Sequence, residues 1–141
     1  ISAQMAAATG MRLAAIAELK PQKALRAYNL SGVKPDQIEN AETTAAIDEA
    51  MAAGRYAITR STQVLIESRV DVVIEATGSV EAGAGHARAA IAGGKHVVMV
   101  TVEADVVVGY QLNKLAKEAG VRCAGDPGRL LRFCTAAGLG L

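Results

Sequence analysis

Two short runs of β-branched residues constrain this chain most. They are the segment from Asp71 to Ala76, built on Val72-Val73-Ile74, and the segment from His96 to Thr101, built on Val97-Val98-Met99-Val100. Strands written as near-continuous Val and Ile are buried on both faces, the habit of parallel sheets. Each run passes into polar or small residues, Glu75-Ala76-Thr77-Gly78 after the first and Thr101-Val102-Glu103 after the second. In an open parallel sheet, ligands sit outside the carboxyl ends of the strands. Those two strand ends are therefore the candidate ligand contacts, and an α/β nucleotide-binding domain is the expectation.

The rest of the chain alternates in the same way. Residues 1–8 fit the later part of a helix, with Gly10 as its stop. Met11 to Ala17 reads as a strand ending at Glu18, and 23–30 as a short helix. Pro35 and Asp36 open a longer helix, with Asp36 and Glu39 spaced as a capping box, Ile47 and Met51 on its apolar face and Gly54 at its close. Residues 56–59 read as a strand, and Ser61 or Thr62 as the cap of the helix after it. Ser79 caps a helix with Val80, Ala84, Ala87 and Ile91 inward. A helix over 108–119 carries Val108, Leu112, Leu115 and Ala119 at helical spacing. A strand over 121–124 and a helix after Pro127-Gly128 complete the series. Strand–helix alternation implies right-handed crossovers and a parallel sheet covered by helices.

At 141 residues, 51% of them hydrophobic and 3% aromatic, the chain can bury one core of Ala, Val, Ile and Leu. A net charge of +1 gives no basis for nucleic-acid or membrane-surface partners. No apolar run approaches the roughly 20 residues of a membrane span, and no signal peptide is visible. Cys123 and Cys134 lack the spacing of metal ligands and read as buried thiols in a reducing cytoplasm. No metal site is expected. Glu103 and Asp105 read as helix caps or as contacts to a substrate hydroxyl, and two carboxylates two apart are only a weak signal for a metal. Lys95 and His96 lie at the amino end of their strand, opposite the ligand end, and His86 lies on a helix surface. None of the three is taken as an acid or base. Glu75 either faces the ligand crevice or pairs structurally.

The chain reads as an internal piece of a longer protein, beginning at Ile1 and stopping where another strand is due. A dinucleotide-binding unit carries its glycine fingerprint after the first strand and an acidic residue about 20 positions on, which binds the ribose hydroxyls. Glu18 occupies that acidic place, so the fingerprint is expected just before Ile1. The missing strand would be central, leaving two strands with unpaired backbone groups, and the piece alone is expected to be unstable and to bind a dinucleotide poorly. The Glu18 carboxylate repels a 2′-phosphate and favours NAD over NADP, a preference that nearby Lys20 softens. Gly78 lets the backbone approach a ligand closely, and the Thr77 hydroxyl can reach a ribose or phosphate. The carboxyl tips at Glu18, Thr77 and Thr101 are expected to converge on one crevice.

At Glu75-Ala76-Thr77-Gly78, Gly94-Lys95-His96-Val97-Val98-Met99 and Val102-Glu103-Ala104-Asp105, the chain resembles the homoserine dehydrogenase-like oxidoreductases. Within them it is most similar to the branch that often carries an SAF domain and includes a reductoisomerase-like enzyme of deoxyxylulose 5-phosphate. The resemblance implies a Rossmann-type doubly wound parallel sheet binding NAD or NADP, with a separate substrate and catalytic domain that this chain lacks. It places Ala76, Thr77 and Gly78 near the cofactor and Thr101, Val102 and Glu103 near the nicotinamide. It also implies hydride transfer to or from a small polar hydroxy or carbonyl substrate, in a cytoplasmic protein compatible with homo-oligomers. The sequence departs from the family pattern in two places. Thr101 stands where Asn is typical and Val102-Glu103 where a Lys follows, and Asp126 runs directly into Pro127. The catalytic acid–base residues are expected outside this chain. The alternatives are a reductoisomerase-like piece of isoprenoid precursor synthesis, a non-catalytic nucleotide-binding or regulatory module, and a partial reading frame with no function of its own.

Overall fold

A computed structural model of the chain describes residues 2–7 and 9–125. These fall into two compact units that divide after Val70.

The first unit holds α1 (Ser2–Ala7), β1 (Ala15–Ala17), α2 (Pro21–Leu30), a single 3-10 turn (Pro35–Gln37), β2 (Ile38–Asn40), α3 (Thr44–Ala52), β3 (Tyr56–Thr59) and α4 (Thr62–Glu67). Its strands form a parallel sheet in the order β1-β3-β2, with Ala15 beside Ala57 and Ile38 beside Tyr56. The central strand is the most buried, at Ala57, Ile58 and Thr59. Tyr28 of α2 packs on it, fully buried, and its hydroxyl donates to the Ala57 carbonyl at 3.0 Å. The helix starts are capped as residue type demands. Thr43 Oγ1 accepts from Ala46 N at 3.2 Å, and Ser61 Oγ from Val64 N at 3.3 Å.

This unit corrects one expectation. Pro35 and Asp36 do not open the long helix. They form one tight turn in which Gln37 Oε1 accepts from Lys34 N at 3.1 Å, and the chain then enters β2. Glu39, expected as the far half of a capping box, lies in that strand and pairs with Arg55. The helix that buries Ile47 starts later, behind the Thr43 cap. The strand expected over 11–17 is also shorter, at Ala15–Ala17.

The second unit holds β4 (Val72–Glu75), α5 (Val80–Ala92), β5 (His96–Met99), α6 (Val102–Glu118) and β6 (Cys123–Ala124). The sheet is again parallel, in the order β4-β5-β6, with Glu75 beside Met99 and Val98 beside Ala124. β5 is central and buried at Val97, Val98 and Met99. α5 and α6 pack on each other through small residues. Gly83, Ala87, Ala90 and Ile91 are buried on α5, and Ala104, Gly109, Leu112 and Ala116 on α6.

Here too the expectation shifts. Val80 and Leu115, expected inward, are 37% and 40% exposed, and where α5 meets α6 Gly83 stands against Ala104. α6 also begins at Val102 rather than 108, so Val102 and Glu103 belong to its first turn and not to a loop. β1 and β4 are each an edge of their own sheet. The fold class is α/β with parallel strands joined through helices, as the alternation implied. The helix expected after Pro127, and Cys134 within it, lie outside the described residues.

Candidate functional site

Each candidate residue stands at or just past the carboxyl end of a parallel strand, the position that the alternation of strands and helices dictates. In the first unit this is Glu18, which follows β1. Its backbone N–H donates to the Thr59 carbonyl at 2.9 Å, extending the β1–β3 ladder by one bond. Its side chain turns toward the start of α2, where Oε1 accepts from Lys20 N at 3.0 Å. A carboxylate offers about four lone-pair sites, so one such bond leaves capacity for a vicinal diol. The side chain is half-buried, within reach of a ligand.

The second unit gathers its candidates around the turn between β4 and α5. Glu75, the last residue of β4, is buried, and its Oε1 accepts from both Thr77 N at 2.8 Å and Thr77 Oγ1 at 2.5 Å. Thr77 Oγ1 in turn accepts from Ser79 N at 3.3 Å. Gly78 N donates to Thr101 Oγ1 at 3.1 Å. Ser79 then caps α5, with its Oγ accepting from Ala82 N at 3.3 Å. The backbone N–H groups of Thr77, Gly78 and Ser79 are thus all engaged within the protein.

The surface of the turn is open. Ala76, Thr77, Gly78 and Ser79 are exposed. Gly78 has φ of +73°, in the left-handed region that side chains disfavour, and a Cβ there would meet nothing within 4 Å. A ligand can therefore come directly onto this backbone.

The other flank of the site is the start of α6. Thr101 is buried, while Val102 is 61% exposed and Glu103 is exposed beside it. Asp105, two residues after Glu103, is half-buried. A Cβ on Gly109 would fall 2.5 Å from its Oδ1, and a Cβ on Gly125 would overlap its Oδ2. Two glycines thus make room for this carboxyl. Asp105 and Glu103 are acids in the first turn of α6, where the helix dipole favours negative charge. Burial, and then the negative charge of Asp105, push the Cys123 thiol up to about 11.

The turn presents exposed, uncharged backbone whose N–H groups are spent, a surface for a planar or neutral group rather than for a phosphate. Glu18 presents a carboxylate, which accepts from hydroxyls. Among the described residues, no group of three or more His, Cys, Asp or Glu side chains could hold a metal ion. None of the described helices is long and apolar enough to cross a membrane. His96 Nδ1 accepts from Arg122 N at 3.1 Å, at the amino end of β5 and away from the turn.

Sequence reasoning expected the strand ends at Glu18, Thr77 and Thr101 to share one crevice; the Gly78–Thr101 bond joins the ends of β4 and β5, while Glu18 belongs to the other unit. Sequence reasoning missed that Glu75 is bonded to Thr77. The sequence carries no signal for it, since the bond depends on which way the Glu75 side chain turns. No curated protein matches the chain. The family model for the homoserine dehydrogenase NAD-binding domain matches residues 6–124, and the chain belongs to that family of Rossmann-type NAD-binding domains.

Proposed function

We propose that this chain is the NAD(H)-binding part of an oxidoreductase acting on a small polar hydroxy or carbonyl substrate. When bound, the cofactor supplies or accepts the hydride, and the protein's part is binding and orientation. The observation that carries the reading is the Ala76–Gly78 turn, exposed and with the N–H groups of Thr77 and Gly78 turned into the protein. We assign Ala76, Thr77 and Gly78 to contact with an uncharged portion of the cofactor. Thr101, Val102 and Glu103 are assigned to the nicotinamide, with the exposed Val102 side chain as an apolar wall. Glu18 is assigned to the adenosine ribose hydroxyls, and its charge disfavours a 2′-phosphate. NAD is therefore preferred over NADP.

The test is an NADH titration of the full natural chain, read by the fluorescence of NADH itself. Saturable binding that weakens about tenfold, or about 1.4 kcal/mol, in Glu18→Ala and in Gly78→Val supports the assignment. Unchanged affinity in both variants removes it.

A further inference from the structure

Glu75 is 3% exposed, and its two carboxyl oxygens have opposite fates. Oε1 holds Thr77 by two hydrogen bonds. Among the described residues, Oε2 is buried with no hydrogen-bond partner. It lies against α5, where a Cβ on Gly83 would fall 2.9 Å from it and 3.4 Å from Ala104 Cβ of α6. The small residues of the helix seam thus make room for an acid that the seam does not pair. A buried acceptor left without a donor is destabilising. An apolar side chain of similar volume fills the same space without that cost. Packing alone therefore does not account for an acid at this position.

What the acid does accomplish lies at Oε1. It draws both the N–H and the hydroxyl hydrogen of Thr77 inward. The Thr77 oxygen is then set to accept from Ser79 N, next to the Gly78 bond to Thr101. Resting on the NAD(H) reading above, we infer that Glu75 is a positioning residue. It holds the Thr77–Gly78 turn so that the turn meets the cofactor with the N–H groups of Thr77, Gly78 and Ser79 withdrawn. Glu75 is buried and acts through Thr77.

Three variants in the full natural chain test this. Glu75→Leu fills the space and removes the acceptor. Glu75→Gln keeps an acceptor for Thr77. Thr77→Val removes the hydroxyl from the other side. Each is read for thermal stability, for NADH affinity and for amide hydrogen exchange at Thr77 and Gly78 without cofactor. The expected result is a split between stability and binding. Glu75→Leu melts at or above the parent temperature, yet binds NADH about tenfold more weakly, about 1.4 kcal/mol, and exchanges faster at the Thr77 amide. Glu75→Gln binds NADH and exchanges like the parent. Thr77→Val weakens binding in the same direction as Glu75→Leu, and serves if Glu75→Leu does not fold.

Parent-like NADH affinity and turn exchange in Glu75→Leu overturn the inference and leave the cofactor reading intact. The same result in Thr77→Val does so if Glu75→Leu does not fold. A parent chain that gives no NADH signal overturns both.

Discussion

Thr101 Oγ1 accepts a hydrogen bond from Gly78 N at 3.1 Å, and so ties the turn after β4 to the second residue past the carboxyl end of β5. The bond crosses between two neighbouring parallel strands at the end where ligands bind in such sheets. It fixes the left-handed Gly78 on one side while Glu75 fixes Thr77 on the other.

Removing the Thr101 acceptor tests this tie. Thr101→Val keeps the shape and leaves the Gly78 N–H without its partner. We expect a loss of about 1–2 kcal/mol in stability, measured by denaturant unfolding, and weaker NADH binding. Thr101→Ser keeps the oxygen and stays within about 0.5 kcal/mol of the parent. Equal stability of the Val and Ser variants contradicts the tie.

Two glycines in this unit are expected to fail for different reasons when changed to alanine. Gly78→Ala meets no atom within 4 Å, so its cost is the left-handed backbone alone, about 1–2 kcal/mol. Gly83→Ala gains helix propensity of about 1 kcal/mol but places a Cβ 2.9 Å from Glu75 Oε2. The buried acid has little room to retreat, and we expect net destabilisation. The double variant Glu75→Ala/Gly83→Ala recovers part of the loss, because the deleted carboxyl makes room for the new methyl. Strict additivity in that cycle contradicts the packing described.

Much of the fold was legible because its strongest signals are local. Val72-Val73-Ile74 and Val97-Val98-Met99 have no surface-compatible pattern and read at once as buried parallel strands. Ser61 and Ser79 mark their helix starts through a cap that needs only one side chain. β2 was not legible, since Ile38-Glu39-Asn40 is three residues long and follows a Pro-Asp pair that reads as a helix start. The inward faces of α5 and α6 were misjudged for a related reason. Hydrophobic periodicity favours Val80 and Leu115, whereas the α5–α6 contact is made at Gly83 and Ala104. At the site, positions at strand ends were readable from topology. The Glu75–Thr77 bond was not, because it depends on which way one rotamer turns.

Alkaline pH separates the folded from the unfolded chain through two buried groups. Burial raises the Cys123 thiol to about 11 from an ordinary value of 9.0, with the charge of Asp105 adding to it. Burial also raises the Tyr28 phenol well above its ordinary value of 10.0. Both folded-state values lie above the unfolded ones, so their stabilising contribution is complete below the unfolded values. For the thiol it is lost as pH rises from 9.0 to about 11. We expect the melting temperature to fall over that range, and to fall less steeply in Cys123→Ala. A parallel decline in the variant contradicts the assignment to the thiol.

The same environment makes Cys123 a poor nucleophile, because the thiolate is the reactive form. Iodoacetamide labelling of Cys123 near pH 8, followed by peptide mass mapping, should be slow in the folded chain and rapid in denaturant. Fast labelling under native conditions contradicts the burial.

The central claim is that this chain binds NAD(H) with Glu18 against the ribose hydroxyls. Parallel titrations of the full natural chain and of Glu18→Ala with NADH and NADPH test it directly. The account predicts tighter binding of NADH than NADPH by the parent. In Glu18→Ala, NADH binding weakens about tenfold, or about 1.4 kcal/mol, and the gap between the two cofactors closes. Equal affinities for both cofactors in the parent, unmoved by the substitution, would contradict it.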